Sequence, residues 1–188
     1  MPRKSQEKSE LSYDKGIVVD IVRFGSSAIE GNAPNDIDVA VIYQKIPVKE
    51  QLNHSQGIKK QLEKKFNLPI HIKSYDLYSL LDRGNFARES ILFYGKSIIT
   101  GDYFSKSFGM IPRLHISYSL SGLEKKGKVR FNYLLNGKGK KYGILRERGG
   151  KLLGPGLIEV LPEHENIFVS QMKGITPDIR VKRVFLSA

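Results

Sequence analysis

Two dense apolar runs dominate the first half of the chain. Ile17, Val18, Val19, Ile21, Val22 and Phe24 form the first, which begins after Gly16 and is stopped by Gly25-Ser26. A run of this density ending at glycine predicts a buried element. The second, Ile37 to Tyr43, is rich in β-branched residues and follows the turn-forming stretch Gly31-Asn32-Ala33-Pro34-Asn35, so two neighbouring strands are expected. Over 48–66, Val48, Leu52, Ile58, Leu62 and Phe66 recur at mostly helical spacing with Lys and Glu on the other face, and Gly57 weakens the middle of that helix. Leu68 to Ile72, opened by Pro69, predicts a third strand. Asp76 to Leu81 and Phe86 to Tyr94 read as helical, and Ser97 to Thr100 is a short apolar piece closed by Gly101-Asp102. Residues 16–104 thus alternate strand and helix, the pattern of an α+β (α/β-like) layer.

The texture changes beyond Gly109-Met110-Ile111-Pro112. Glycine and lysine cluster over 136–143 and 146–156, followed by a strand candidate, Leu157 to Leu161, a helix candidate, Pro162 to Lys173, and a final strand candidate, Ile179 to Leu186. The expected organisation is a polar arm over 1–15, a domain over 16–109 and a small α+β domain over 110–188.

Composition narrows the classes. In 188 residues, 40% hydrophobic and 27% charged side chains exclude a disordered chain. The absence of cysteine excludes disulfides, thiolate metal sites and a cysteine nucleophile. No apolar run approaches the ~18 residues of a membrane span, and the opening MPRKSQEKSE lacks the apolar core of a signal peptide, so a cytoplasmic protein without a membrane partner is expected. The net charge is +12, and it is uneven: residues 1–109 hold 16 basic and 13 acidic side chains, residues 110–188 hold 15 and 6. That excess suits a polyanionic partner, although a lysine-rich composition also serves solubility.

The stretch FGSSAIEGNAPNDIDVAVIY, residues 24–43, carries the candidate chemistry. Residues two apart on a strand share a face, so Asp36 and Asp38 would present two carboxylates together, an arrangement that a hard cation such as Mg²⁺ stabilises alongside substrate phosphates. Glycine allows close backbone approach to a phosphate, and Ser26, at the start of a following helix, would offer N–H and hydroxyl donors. Taken alone, NAPNDID also reads as a turn with a cap.

Gly25-Ser26, a spacer of nine residues and then Asp36-Ile37-Asp38 resemble the nucleotidyltransferase (DNA polymerase β) superfamily, especially its minimal branch. Phe24 before the pair and Val39-Ala40-Val41 after it agree with the pattern. The stretch Glu89 to Lys96 is similar to the helix end that closes many such domains, and the resemblance covers about residues 16–104. It implies a mixed β-sheet with flanking helices, Gly25 and Ser26 on the triphosphate of a nucleoside triphosphate, and Asp36 and Asp38 as catalytic ligands of Mg²⁺ or Mn²⁺. Family members usually carry a third carboxylate on a later strand. Here His71 occupies that place, with Asp76, Glu30 and Asp20 as other acids to consider, while Lys73, on the same face as His71, is a phosphate candidate.

Between Lys125 and Lys151 stand ten basic residues (Lys125, Lys126, Lys128, Arg130, Lys138, Lys140, Lys141, Arg146, Arg148 and Lys151) and one acid, Glu147, interleaved with Phe131, Tyr133 and Tyr142. Cations and rings together suit a nucleic-acid surface, and hairpin loops with solvated lysines account for the same pattern. No P-loop exists around Gly137-Lys138 or Gly150-Lys151. Three readings follow: a metal-dependent nucleotidyltransferase acting on an RNA, DNA or protein acceptor; a catalytically impaired module of the same fold that binds nucleic acid or protein; and an antitoxin-like partner protein. His54, His115 and His164 receive no role.

Overall fold

A computed structural model describes residues 11–139 and 141–187. The polar arm expected over 1–15 lies largely outside them.

Strand β1 (Val18–Phe24) pairs antiparallel with β2 (Ile37–Tyr43), which pairs in parallel with β3 (Ile70–Asp76) after crossing over helix α1 (Val48–Glu63). Helices α2 (Leu77–Leu81) and α3 (Arg88–Tyr94) lead to β4 (Lys96–Ser97), which closes the sheet in the order β3-β2-β1-β4. The two dense apolar runs become its central strands because both faces are covered, which removes the polar half of a strand pattern. On one face Ile21, Val39, Val41, Tyr43 and Ile70 meet Ile58 and Leu62 of α1. On the other, Val22, Phe24, Ala40 and Ile42 meet Leu80 of α2, Ile91 of α3 and Phe104. A buried hydrogen-bond chain, Tyr43 Oη to Ser55 Oγ at 2.8 Å and on to Ser74 Oγ at 2.7 Å, ties α1 to two strands.

A second sheet is antiparallel throughout, in the order β10-β5-β9-β8, and holds β5 (Met110–Tyr118), β8 (Lys151–Gly154), β9 (Leu157–Val160) and β10 (Ile179–Ser187). Between β5 and β8 run helix α4 (Lys125–Asn136), the two-stranded ribbon β6 (Gly137–Lys138) and β7 (Lys141–Tyr142), and the short α5 (Ile144–Glu147). Helix α6 (Glu165–Lys173) follows β9 after a 3₁₀ turn over Pro162–His164, so the expected helix 162–173 forms in two pieces. The elements β5, α4 and β8 are absent from the sequence reading. In β5 the buried Leu114 and Ile116 alternate with Arg113, His115 and Ser117, and in α4 the apolar Phe131 and Leu135 are diluted by lysines and Gly127. The chain is therefore mixed α+β. Among the described residues no helix is long and apolar enough to cross a membrane.

The two halves share a core. Leu114, Ile116, Ile158, Val160, Phe131, Phe168 and Met172 pack in one cluster with Ala28, Phe93 and Tyr94 from the first half. Polar clasps surround it: Glu163 accepts from Lys96 Nζ at 2.8 Å and from the Tyr103 hydroxyl, Glu165 accepts from the Tyr94 hydroxyl, and Arg148 donates to Glu30 at 2.6 Å.

Asp20 sits beside a register shift in β1 and is 9% exposed, its Oδ1 accepting from the Ile21 N–H and the Ser97 hydroxyl at 2.7 Å each. Burial raises its pKa, against the opposing pull of those two donors. An acid whose folded pKa is raised contributes stability that is complete below the ordinary value of 3.8 and is lost as pH rises through the folded value. Asp20→Asn, which keeps an acceptor at Oδ1, is therefore expected to be more stable than the parent at pH 7, with the difference vanishing below 3.8. Urea midpoints of both proteins across that window test it. A constant difference at all pH values would rule the titration out.

Candidate metal and phosphate site

The register of the first sheet lines up Phe24 of β1, Asp38 of β2 and His71 of β3 in one row, with Val22, Ala40 and Lys73 in the next. Alternation puts these side chains on a common face, and Asp36 lies in the bend that leads into β2. One ligand atom from each of Asp36, Asp38 and His71 lies within 4.8 Å of the others. Ligands about 2.1 Å from a six-coordinate cation stand roughly 3 Å apart when adjacent and about 4.2 Å when opposite, so the group could hold one ion. Two carboxylates suit Mg²⁺ and Mn²⁺, and the imidazole moves the set toward Mn²⁺. Asp36 Oδ2 and His71 Nδ1 are 3.1 Å apart, with the side chains 34% and 62% exposed, which leaves the group open to an arriving ligand.

Gly25 follows β1 in the left-handed region, at φ +71°. A Cβ on it would stand 2.5 Å from Asp38 Oδ2, so any other residue there would make the carboxylate move. Its N–H donates to Ser90 Oγ of α3 at 3.2 Å. Ser26 is exposed, and Asn32 Nδ2 donates to its carbonyl at 3.0 Å. The following helix expected at Ser26 is a single 3₁₀ turn, Gly25–Ala28. Lys73 reaches over Phe24, its Nζ 5.9 Å from the ring centroid, toward the glycine-serine end of the face. Burial pushes the Tyr75 phenol above its ordinary range, and the charge of Asp38 adds to the shift, placing Tyr75 in the field of this site.

The other carboxylates considered for the site are occupied elsewhere. Asp20 is bonded to Ser97, and Asp76 caps α2, where the Ser79 N–H holds its carboxyl below the ordinary range. Glu30 binds Arg148 and, at 3.1 Å, His164 Nδ1. Sequence reading missed Ser90, Asn32 and Tyr75, whose proximity depends on how helix, loop and strand pack.

The basic candidates divide. Lys125, Lys126, Lys128 and Arg130 lie on α4, Lys138 and Lys141 on the ribbon, Arg146 and Arg148 at α5 and Lys151 on β8, while Lys140 is outside the described residues. Lys138 Nζ stands 5.2 Å from the ring centroid of exposed Tyr133, and the Arg146 guanidinium 3.9 Å from that of exposed Tyr142, cation–π pairs of the kind that base stacking uses. Arg148 is instead engaged with Glu30, so its charge is tied to the junction of the halves. No protein-family model, no curated protein and no solved structure matches this chain.

Proposed function

We propose that the protein is a metal-dependent nucleotidyltransferase that moves a nucleoside monophosphate from a nucleoside triphosphate to an acceptor hydroxyl. The observation that carries this reading is the convergence of Gly25, Asp36, Asp38 and His71 at one open end of a mixed sheet. Asp36 and Asp38 hold the cation, Mg²⁺ or Mn²⁺, which would neutralise phosphate charge as pyrophosphate departs. Ser26 and Lys73 would supply donors to the triphosphate. His71, whose Nδ1 lies 3.1 Å from Asp36 Oδ2, would take the proton of the attacking hydroxyl instead of ligating the cation. The resemblance of residues 24–43 to nucleotidyltransferases supports the same assignment.

Transfer of label from α-³²P nucleoside triphosphates onto total RNA and onto the protein itself, with Mg²⁺ or Mn²⁺, tests the proposal. Asp36→Asn/Asp38→Asn is expected to reduce labelling by about 100-fold or more. Labelling unaffected by the double substitution would refute it.

A second reading is favoured by one observation. The position where family members carry a third acid holds His71, paired with Asp36. In that reading the protein is a non-catalytic module of the same fold, which binds nucleotide without turnover. Thermal stabilisation by nucleotide with no transfer to any acceptor would select it.

A further inference from the structure

The second sheet packs its buried apolar side chains on one face only. Leu114, Ile116, Ile158 and Val160 turn inward onto Phe131 and Leu135 of α4 and Phe168 and Met172 of α6. Strand alternation sends the intervening residues to the opposite face: Arg113, His115 and Ser117 of β5, Leu157 and Glu159 of β9, and Arg180, Lys182 and Val184 of β10. Lys151 of β8 stands opposite Glu159 in register and joins them. None of the hydrophobic clusters includes a residue of this outer face.

We infer that this outer face binds a nucleic-acid strand through its phosphates. It carries four cations, Arg113, Lys151, Arg180 and Lys182, against a single carboxylate, Glu159. Glu159 is 8% exposed, 3.7 Å from Arg113 Nε and 3.3 Å from His115 Nε2. It is therefore spent within the sheet, where it orients an arginine and an imidazole, and leaves the face positive. Lys151, Arg180 and Lys182 are exposed and form no ion pair with any described residue. Same-face neighbours recur about 7 Å apart along a strand and about 5 Å between strands, a regular grid suited to a repeating backbone charge.

A peptide would require apolar anchor pockets. Here the apolar members Ile111, Val184 and Leu186 gather at one end, and Leu157 lies at the other. Of the basic residues singled out in the sequence, only Lys151 belongs to the face, which is assembled from strands remote in sequence. The inference is independent of the nucleotidyltransferase reading, because binding needs neither aspartate of the metal site.

Fluorescence anisotropy of the full chain with a labelled 20-nucleotide oligouridylate, at 50 and 200 mM salt, is the test. Arg180→Glu/Lys182→Glu alters exposed side chains on the edge strand and is expected to weaken binding at least about 10-fold. It should also flatten the logarithmic salt dependence by about 1.4, two contacts at roughly 0.7 each. Lys49→Glu/Lys60→Glu on α1 makes the same charge change away from the face and should leave affinity within about twofold. Equal weakening by both pairs would reduce the effect to net charge and overturn the inference. So would an unchanged affinity in the β10 pair, or binding of poly-glutamate in preference to the oligonucleotide. Circular dichroism of each variant confirms that the fold is kept.

Discussion

Gly25→Ala is expected to lower divalent-cation affinity by about 100-fold while leaving the protein folded. The backbone at Gly25 has φ +71°, where an added Cβ costs about 1 kcal/mol by itself. The larger effect is steric. That Cβ would meet Asp38 Oδ2 at 2.5 Å, so the carboxylate must retreat by roughly 1 Å. Asp38 is half-buried and its side chain can rotate away, so the strand survives and the ligand geometry does not. Loss of the groups that orient a metal ligand typically costs about 10–100-fold in metal affinity. Gly101→Ala is the control: it has φ +81° and nothing within 4 Å of its Cβ, so it should show the backbone cost with cation binding intact. Calorimetric titration with Mn²⁺, beside thermal melting of all three proteins, gives both quantities. Parental affinity in Gly25→Ala would show that Asp38 is not a ligand.

Phe168→Ala is expected to destabilise the whole chain by about 3–5 kcal/mol, which lowers the melting temperature by roughly 6–20 °C for a protein of this length. Phe168 is fully buried in the cluster that joins Leu114, Ile116, Ile158 and Val160 of the second sheet to Ala28, Phe93 and Tyr94 of the first half. Ala28 lies in the turn that follows Gly25, so the loss should extend to the candidate site. Hydrogen exchange is the decisive measurement: amide protection in β2 and β5 should fall together. Protection that falls in β5 alone would mean that the first sheet keeps its stability without the second half, against the shared core. The boundary expected near residue 110 falls between the sheets in sequence, yet the packing crosses it.

The first sheet was legible because its two central strands are apolar on both sides and its strands are punctuated by Gly25-Ser26, by the 31–35 turn and by Pro69. The helix over 48–63 announced itself by spacing, ending three residues before the expected Phe66. Asp36, expected on the strand beside Asp38, lies in the bend just before β2 yet keeps its carboxylate near that of Asp38, and the parallel register sets His71 opposite Asp38. In β5 and α4 the signal was weak, since each buries only one side and fills the other with Arg, Lys and His.

Local order in the chain is thus sufficient for strands covered on both faces, because periodicity and turn chemistry act over a few residues. Contacts across the fold answer to packing. Glu30 meets Arg148 and His164 across separations of 118 and 134 residues, and Ser90 receives the Gly25 N–H across 65. The basic outer face likewise exists only once β10 has paired with β5 and β9 with β8. No sequence window contains such neighbours; they are brought together by burying a common core, which decides which acids are spent on structure and which remain for chemistry.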